Sequence, residues 1–193
     1  MTLYILGLAI FFGLHLYSAL RSRAPEKDLR ARFGEGPYMG LYSIISLIGF
    51  VMIIYGFGAT RGAGVLYVPP TWMAHTNLVL TIPAMILLVA SQMPAGRIKK
   101  ISKHPMLLAI KFWALGHLLA NGELNSVLLF GSFLAYAIFD RIMVKRRGDN
   151  GPGPEATLNP VMDIISIVAG LGIWAAIAFW LHPILFGVVA MPA

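Results

Sequence analysis

The side chains best suited to chemistry lie in one otherwise apolar stretch, residues 104–122, which contains His104, Lys111 and His117. An ionisable side chain is costly to bury in a membrane span, so such a residue indicates a function by default. A neutral imidazole can bind a metal ion or transfer a proton near neutral pH. We therefore place the candidate functional site on this stretch.

The same stretch predicts one helix whose two ends are both defined by the sequence. Pro105 suits the first helical turn, where its missing N–H group is no loss, and Asn121-Gly122 predicts a left-handed turn that ends the helix. Trp113 and Asn121 each lie four residues from His117, so an indole, an imidazole and an amide share one face. We expect this face to carry the binding site.

His104 lies at the opposite end of the predicted helix from His117. A rise of about 1.5 Å per residue separates the two imidazoles by roughly 20 Å along the axis and about 140° around it, so they cannot share one metal ion. Lys111 shares a face with His104, and snorkelling of its ammonium group to the membrane surface explains it better than catalysis does.

The amino-acid composition indicates that membrane-spanning elements position these residues. The chain has 193 residues, of which 58% are hydrophobic and 12% are charged, and its mean hydropathy is +0.77. These values are typical of an integral membrane protein. The net charge of +7 lies in short loops between apolar runs and predicts no nucleic-acid partner. The absence of cysteine excludes thiolate metal sites and cysteine enzymes.

Six apolar runs predict an all-α, polytopic membrane helical bundle. A transmembrane helix needs about 20 apolar residues. The predicted spans within a single domain, residues 1–193, are 3–20, 39–59, 72–92, 105–120, 124–142 and 161–185. The fourth is short for a bilayer.

The distribution of Lys and Arg predicts the orientation in the bilayer. Loop 21–38 contains five of them, and loops 93–105 and 141–160 contain four each. Loop 60–71 contains one, and neither terminus contains any. Because cationic loops stay in the cytoplasm, we expect both termini on the periplasmic side.

Histidines are the only strong candidates for soft-metal ligands. The five are His15, His75, His104, His117 and His182. A neutral imidazole binds haem iron well, and apolar helices supply the dry walls that a porphyrin needs. His117 is the first candidate for an axial ligand, His15 its natural partner and His75 the substitute. The competing interpretation of His117 is a hydrogen bond to a neighbouring helix, with Trp113 as an interfacial anchor.

The run His104-Pro-Met-Leu-Leu and the run Trp113-Ala-Leu-Gly-His117-Leu-Leu-Ala-Asn-Gly122, with Gly13-Leu-His15 in the first span, resemble the NnrU family over nearly the whole chain. NnrU-like proteins are bacterial inner-membrane proteins associated with denitrification, where they are implicated in the expression or activity of nitrite and nitric oxide reductases. The resemblance therefore implies a multi-pass protein of the bacterial inner membrane, with respiratory reductase components as possible partners besides the lipid bilayer.

The zeta-carotene isomerase of plants and cyanobacteria is similar to this family and is a haem b enzyme with histidine axial ligands. Matching its motif implicates His117 first and then His15 as ligands of haem iron. We also count His104, Trp113 and Asn121 among the candidate cofactor-binding residues.

These observations predict a protein of nitrite and nitric oxide metabolism that binds b-type haem between the first and fourth spans, for a redox or gas-sensing role. Two alternatives remain open. One is a haem-dependent cis–trans isomerase of a polyene, and the other is a non-enzymatic assembly or scaffold protein for a respiratory reductase. The sequence does not decide whether the protein is an enzyme.

Overall fold

The structure, a computed structural model, describes residues 1–24 and 26–190. Its elements are all helical, and the sequence-based fold class is confirmed. In chain order the helices are α1 (Thr2–Leu20), α2 (Leu29–Phe33), α3 (Glu35–Ala59), α4 (Thr71–Gln92), α5 (Arg97–Ser102), α6 (Pro105–Ala120), α7 (Leu124–Arg146), α8 (Pro160–Ala176) and α9 (His182–Phe186), with a π-helical segment, Ile177–Leu181, between the last two.

Five helical segments in the described residues are long and apolar enough to cross a membrane: α1, α3, α4, α7 and the continuous run Pro160–Phe186. The remaining predicted span, the fourth in chain order, is α6, which has the bounds expected from the sequence but only 16 residues. Many large apolar side chains on the long helices are exposed. These surfaces face the lipid of a multi-pass membrane protein.

The chain forms two compact units, Met1–Gly64 with Glu123–Asn125, and Val65–Gly122 with Ser126–Ala193. The prediction of a single domain over residues 1–193 stays a prediction. Each unit is described by itself.

In the first unit, glycines let α1 and α3 approach backbone to backbone. A Cβ atom added at Gly56 would lie 2.6 Å from Cα of Tyr4, and one at Gly49 would lie 2.9 Å from the amide nitrogen of Phe11. Small residues at helix interfaces are typical of membrane bundles, because close backbone approach maximises dispersion contacts. Tyr4 is fully buried, and its hydroxyl donates to the carbonyl of Asn125 (2.7 Å).

An ion pair follows α1 in the same unit. Arg21 forms an ion pair with Asp28, which caps α2 by accepting a hydrogen bond from the backbone N–H of Arg30 (3.0 Å). The Arg21 guanidinium also lies over the ring of Tyr38, 5.6 Å from its centroid. Because Arg21 donates a hydrogen bond to Asp28, the pKa of that carboxyl lies below its usual range.

In the second unit, α4 packs on both α6 and α8. A Cβ atom at Gly170 of α8 would lie 2.6 Å from Cα of Ile86, so α8 meets α4 through a glycine. One polar contact joins the same two helices, because the Trp174 indole N–H donates to the hydroxyl of Thr81 (3.1 Å). Asp163 of α8 accepts hydrogen bonds from the first two amides of α5, at 2.8 and 2.9 Å.

Two details of the second unit have a local cause. The expected left-handed turn at Asn121-Gly122 is wrong, because Asn121 is extended (φ −135°, ψ 109°). Gly122 is needed for a different reason, since the Tyr67 carbonyl occupies the space of its missing side chain. The π-helical segment immediately precedes His182-Pro183, where proline cannot donate the next helical hydrogen bond and the helix widens.

Candidate functional site

His117 lies on α6 with its ring orientation fixed by its own helix. Its Nδ1 atom lies 2.8 Å from the carbonyl oxygen of Trp113, one turn earlier. A carbonyl oxygen only accepts, so Nδ1 must carry the proton and the lone pair of the neutral ring lies on Nε2. This is the tautomer that a histidine uses when Nε2 binds a metal.

Aromatic rings from α6 and α7 surround the His117 imidazole. Phe130 of α7 stacks on it, with ring centroids 4.6 Å apart and an interplanar angle of 26°. Trp113 lies 5.3 Å from the same imidazole, and Phe133 meets Trp113 edge to face at 5.4 Å. The rings hold the imidazole in one orientation and present it with apolar surroundings.

Asn121 lies on the predicted face but serves the helix backbone. Its side-chain amide donates to the carbonyl of His117 (2.9 Å), which has no helical partner so close to the end of α6. Tyr67 donates its hydroxyl to the carbonyls of Leu118 and Asn121 at the same helix end. The structure therefore places Trp113, His117 and Asn121 close together on α6, and the Asn121 amide stabilises the end of this helix.

His15 of the first unit has the same local arrangement as His117. Its Nδ1 atom lies 2.7 Å from the carbonyl oxygen of Phe11, again one helical turn earlier. The ring of Phe11 stacks on the imidazole at 4.2 Å and 30°, and Tyr42 approaches it edge-on at 5.5 Å. The same argument assigns the Nδ1 proton, so the lone pair of the His15 ring also lies on Nε2.

An apolar groove adjoins the aromatic rings that contact His15, and another adjoins those that contact His117. In the first unit a groove of about 290 Å³ is lined by Phe11 and Tyr42 together with Ser43, Ser46, Leu47 and Phe50. In the second unit a groove of about 150 Å³ between α4 and α6 is lined by Trp113 and smaller apolar residues. Enclosed ligand pockets typically measure about 300–1,000 Å³. Support for a cofactor therefore rests on the donor chemistry of the histidines rather than on an enclosed cavity.

The other three histidines have different surroundings. His104 precedes α6, and its Nε2 lies 3.1 Å from the carbonyl oxygen of Asp149 and 3.5 Å from its carboxylate. His75 is exposed near the start of α4, and His182 Nδ1 lies 2.7 Å from the carbonyl oxygen of Val188. No group of three or more His, Asp or Glu in the described residues could hold a metal ion. The assignments of His15, His75 and His117 to haem iron stay predictions.

Sequence reasoning missed the rings that hold the two imidazoles. Phe130 and Phe133 come from α7, and Tyr42 comes from α3. The position of Phe130 could have been found from the sequence. Phe130 lies about as far after Glu123 as His117 lies before it. Two helices joined by a tight connector are antiparallel, so residues equally far from that connector face each other. No comparable signal indicates Tyr42.

Comparison with known proteins gives one family-level result. A family model described as NnrU protein matches residues 3–190, nearly the whole chain. Comparisons with curated proteins and with solved structures gave no match.

Proposed function

Since the chain belongs to the NnrU family, we propose that it is a haem-binding protein of nitrite and nitric oxide metabolism in the bacterial inner membrane. His117 would hold the haem iron, and His15 is the candidate for a second ligand. One observation carries the proposal: both imidazoles have Nδ1 bonded to the carbonyl four residues earlier, at 2.8 and 2.7 Å. This backbone bond is the outer-shell contact that metal-binding histidines commonly make.

The residues around His117 each have a part in this function. The Trp113 carbonyl holds the Nδ1 proton and so directs the Nε2 lone pair away from the α6 backbone. Phe130 limits rotation of the imidazole by stacking on it. The apolar side chains of the spans exclude water, which lowers the local dielectric constant around any bound group.

Haem held by these imidazoles would supply one-electron chemistry and binding of a diatomic gas such as nitric oxide. Both roles fit a membrane protein of denitrification. The chain's own contribution would be the imidazoles and the apolar surroundings, which would tune the reduction potential of the bound group.

The visible spectrum of detergent-purified protein tests the proposal. We expect a Soret band in the wild type and sharp α and β bands after reduction with dithionite. His117→Ala should lose or shift these bands, and so should His15→Ala if it supplies the second ligand. His75→Ala should change the bands only if His75 replaces His15 as the second ligand. Gly58→Ala, which adds a methyl group in open space on α3, is the control that should leave the spectrum unchanged.

A folding defect must be distinguished from loss of a ligand. His117→Gly leaves space on α6, and added imidazole should restore the bands if the variant is folded. A colourless wild-type protein from haem-replete cells would contradict the proposal and favour an assembly role. Bands that persist in both His15→Ala and His117→Ala would also contradict it.

A further inference from the structure

Two partly buried cationic side chains lie in the second unit, one within the span α6 and one near the cation-rich end of α7. Lys111 is the seventh residue of α6, and Arg141 lies five residues before the end of α7. Both are partly buried, and Arg141 places its Nη1 atom out of contact with solvent. A cation within a span, such as Lys111, is rare in membrane proteins and is a candidate functional residue.

Lys111 and Arg141 lie toward the same end of the neighbouring helices α6 and α7. The helices are antiparallel, and the ring contacts of His117 with Phe130 and of Trp113 with Phe133 set their register. In an α-helix each side chain tilts toward the N-terminus of its own helix. On antiparallel helices Lys111 and Arg141 therefore tilt toward each other's level along the helix axes, and they are close enough to interact electrostatically.

No carboxylate neutralises this pair in the described residues. The nearest acidic residue in the sequence, Asp140, lies 3.9 Å from the guanidinium of Arg147. Arg141 Nη1 has no hydrogen-bond partner although it is buried. An uncompensated charge in a low-dielectric setting is strongly unfavourable, so two adjacent cations with an unsatisfied donor fit an anion that binds between them.

We propose that Lys111 and Arg141 form a binding site for a phosphate group, supplied by an anionic phospholipid. The site lies toward the end of α7 that carries Lys145 and Arg146, which are both exposed. Basic pockets between transmembrane helices on the cation-rich side of a membrane bind anionic headgroups. A planar guanidinium can donate two hydrogen bonds to a phosphate, and the lysine ammonium adds a compact charge.

Native mass spectrometry in detergent, with phosphatidylglycerol or phosphatidylcholine added, tests this site. We expect the wild type to retain phosphatidylglycerol under conditions that strip phosphatidylcholine. Lys111→Gln and Arg141→Gln should each weaken retention about tenfold, since a hydrogen bond to a charged group contributes on the order of one tenfold step in affinity. Lys145→Gln is the charge-matched control on the exposed surface of α7 and should retain the lipid.

Melting temperature separates loss of the site from loss of the fold. Without lipid, Lys111→Gln and Arg141→Gln should melt no lower than the wild type, because each removes one of two repelling charges. Phosphatidylglycerol should raise the melting temperature of the wild type but not of these variants. Equal lipid retention in all four proteins would overturn the proposal. Stabilisation by millimolar inorganic phosphate without lipid retention would overturn the assignment to a lipid.

Discussion

At the scale of single residues, the tautomer of each candidate ligand is set by a helix carbonyl rather than by another side chain. His15 and His117 both face the carbonyl four residues earlier, in each case that of an aromatic residue. The spacing of Trp113 and His117 could be seen in the sequence, but a rotamer could not. Side-chain rotamers depend on the neighbours that restrict them, and those neighbours, Tyr42 and Phe130, come from other helices.

Asp28 provides a prediction at the same scale, because its pKa is lowered by the hydrogen bond from Arg21. A carboxyl whose folded pKa is depressed stabilises the fold above its ordinary pKa of 3.8, and this contribution is lost as the pH falls through the folded pKa. Asp28→Asn should therefore lower the melting temperature at pH 7. The difference from wild type should shrink once the pH falls below 3.8.

Melting curves of the wild type and Asp28→Asn between pH 7 and pH 3 provide the measurement. Glu26→Gln is the control, since Glu26 is an exposed carboxylate in the same loop. It should show little difference from the wild type over this range. A difference in melting temperature between wild type and Asp28→Asn that stays constant down to pH 3 would contradict this prediction. It would show that the charge of the Asp28 carboxyl does not stabilise the fold.

At the scale of elements, the spans could be predicted from the sequence but their packing faces could not. The residues of α6 agree with the expected bounds, because a long apolar run between polar residues defines a span whatever its neighbours are. These helices are apolar on all sides, so hydrophobicity does not distinguish the side that packs on other helices from the side that meets lipid. Short elements such as α2 and α5 lie in polar loops, where their caps depend on Asp28 and Asp163.

Two glycines of α3 distinguish the side that packs on α1 from a side with open space. Gly56 meets the backbone of Tyr4, whereas Gly58 on the same helix has open space around it. Gly56→Ala should destabilise the first unit by about 1–3 kcal/mol, because the added methyl group overpacks a backbone contact that cannot yield. Gly58→Ala should be neutral or stabilising by up to about 1 kcal/mol, since alanine favours a helix more than glycine does.

Unfolding of both variants by titration with sodium dodecyl sulfate, followed by far-ultraviolet circular dichroism, measures the difference. Because the two substitutions are chemically identical and two residues apart, helix propensity alone predicts the same effect for both. Equal stabilities would therefore show that α1 does not approach α3 as closely as the structure describes.

At the scale of the whole molecule, the charge distribution predicts a topology that depends on α6. The helix has 16 residues, about 24 Å at 1.5 Å per residue, whereas the hydrocarbon core of a bilayer is about 30 Å thick. If α6 crosses, the loops that contain Glu26, Lys100 and Asn150 all face the cytoplasm, which agrees with the counts of Lys and Arg. If α6 enters and leaves on the same side, α7 and α8 reverse, and Asn150 faces the periplasm.

Single cysteines report this directly, because the native chain contains none. Glu26→Cys and Ala63→Cys place thiols at exposed positions before α6, on loops of opposite predicted side, and serve as references. In intact cells an impermeant maleimide should label Ala63→Cys and leave Glu26→Cys unlabelled until the membrane is permeabilised. We expect Asn150→Cys to behave like Glu26→Cys, because a periplasmic loop with the cations of 141–160 would oppose the charge rule. Labelling of Asn150→Cys in intact cells would instead make α6 a re-entrant helix and place His104 and His117 in a half-membrane segment.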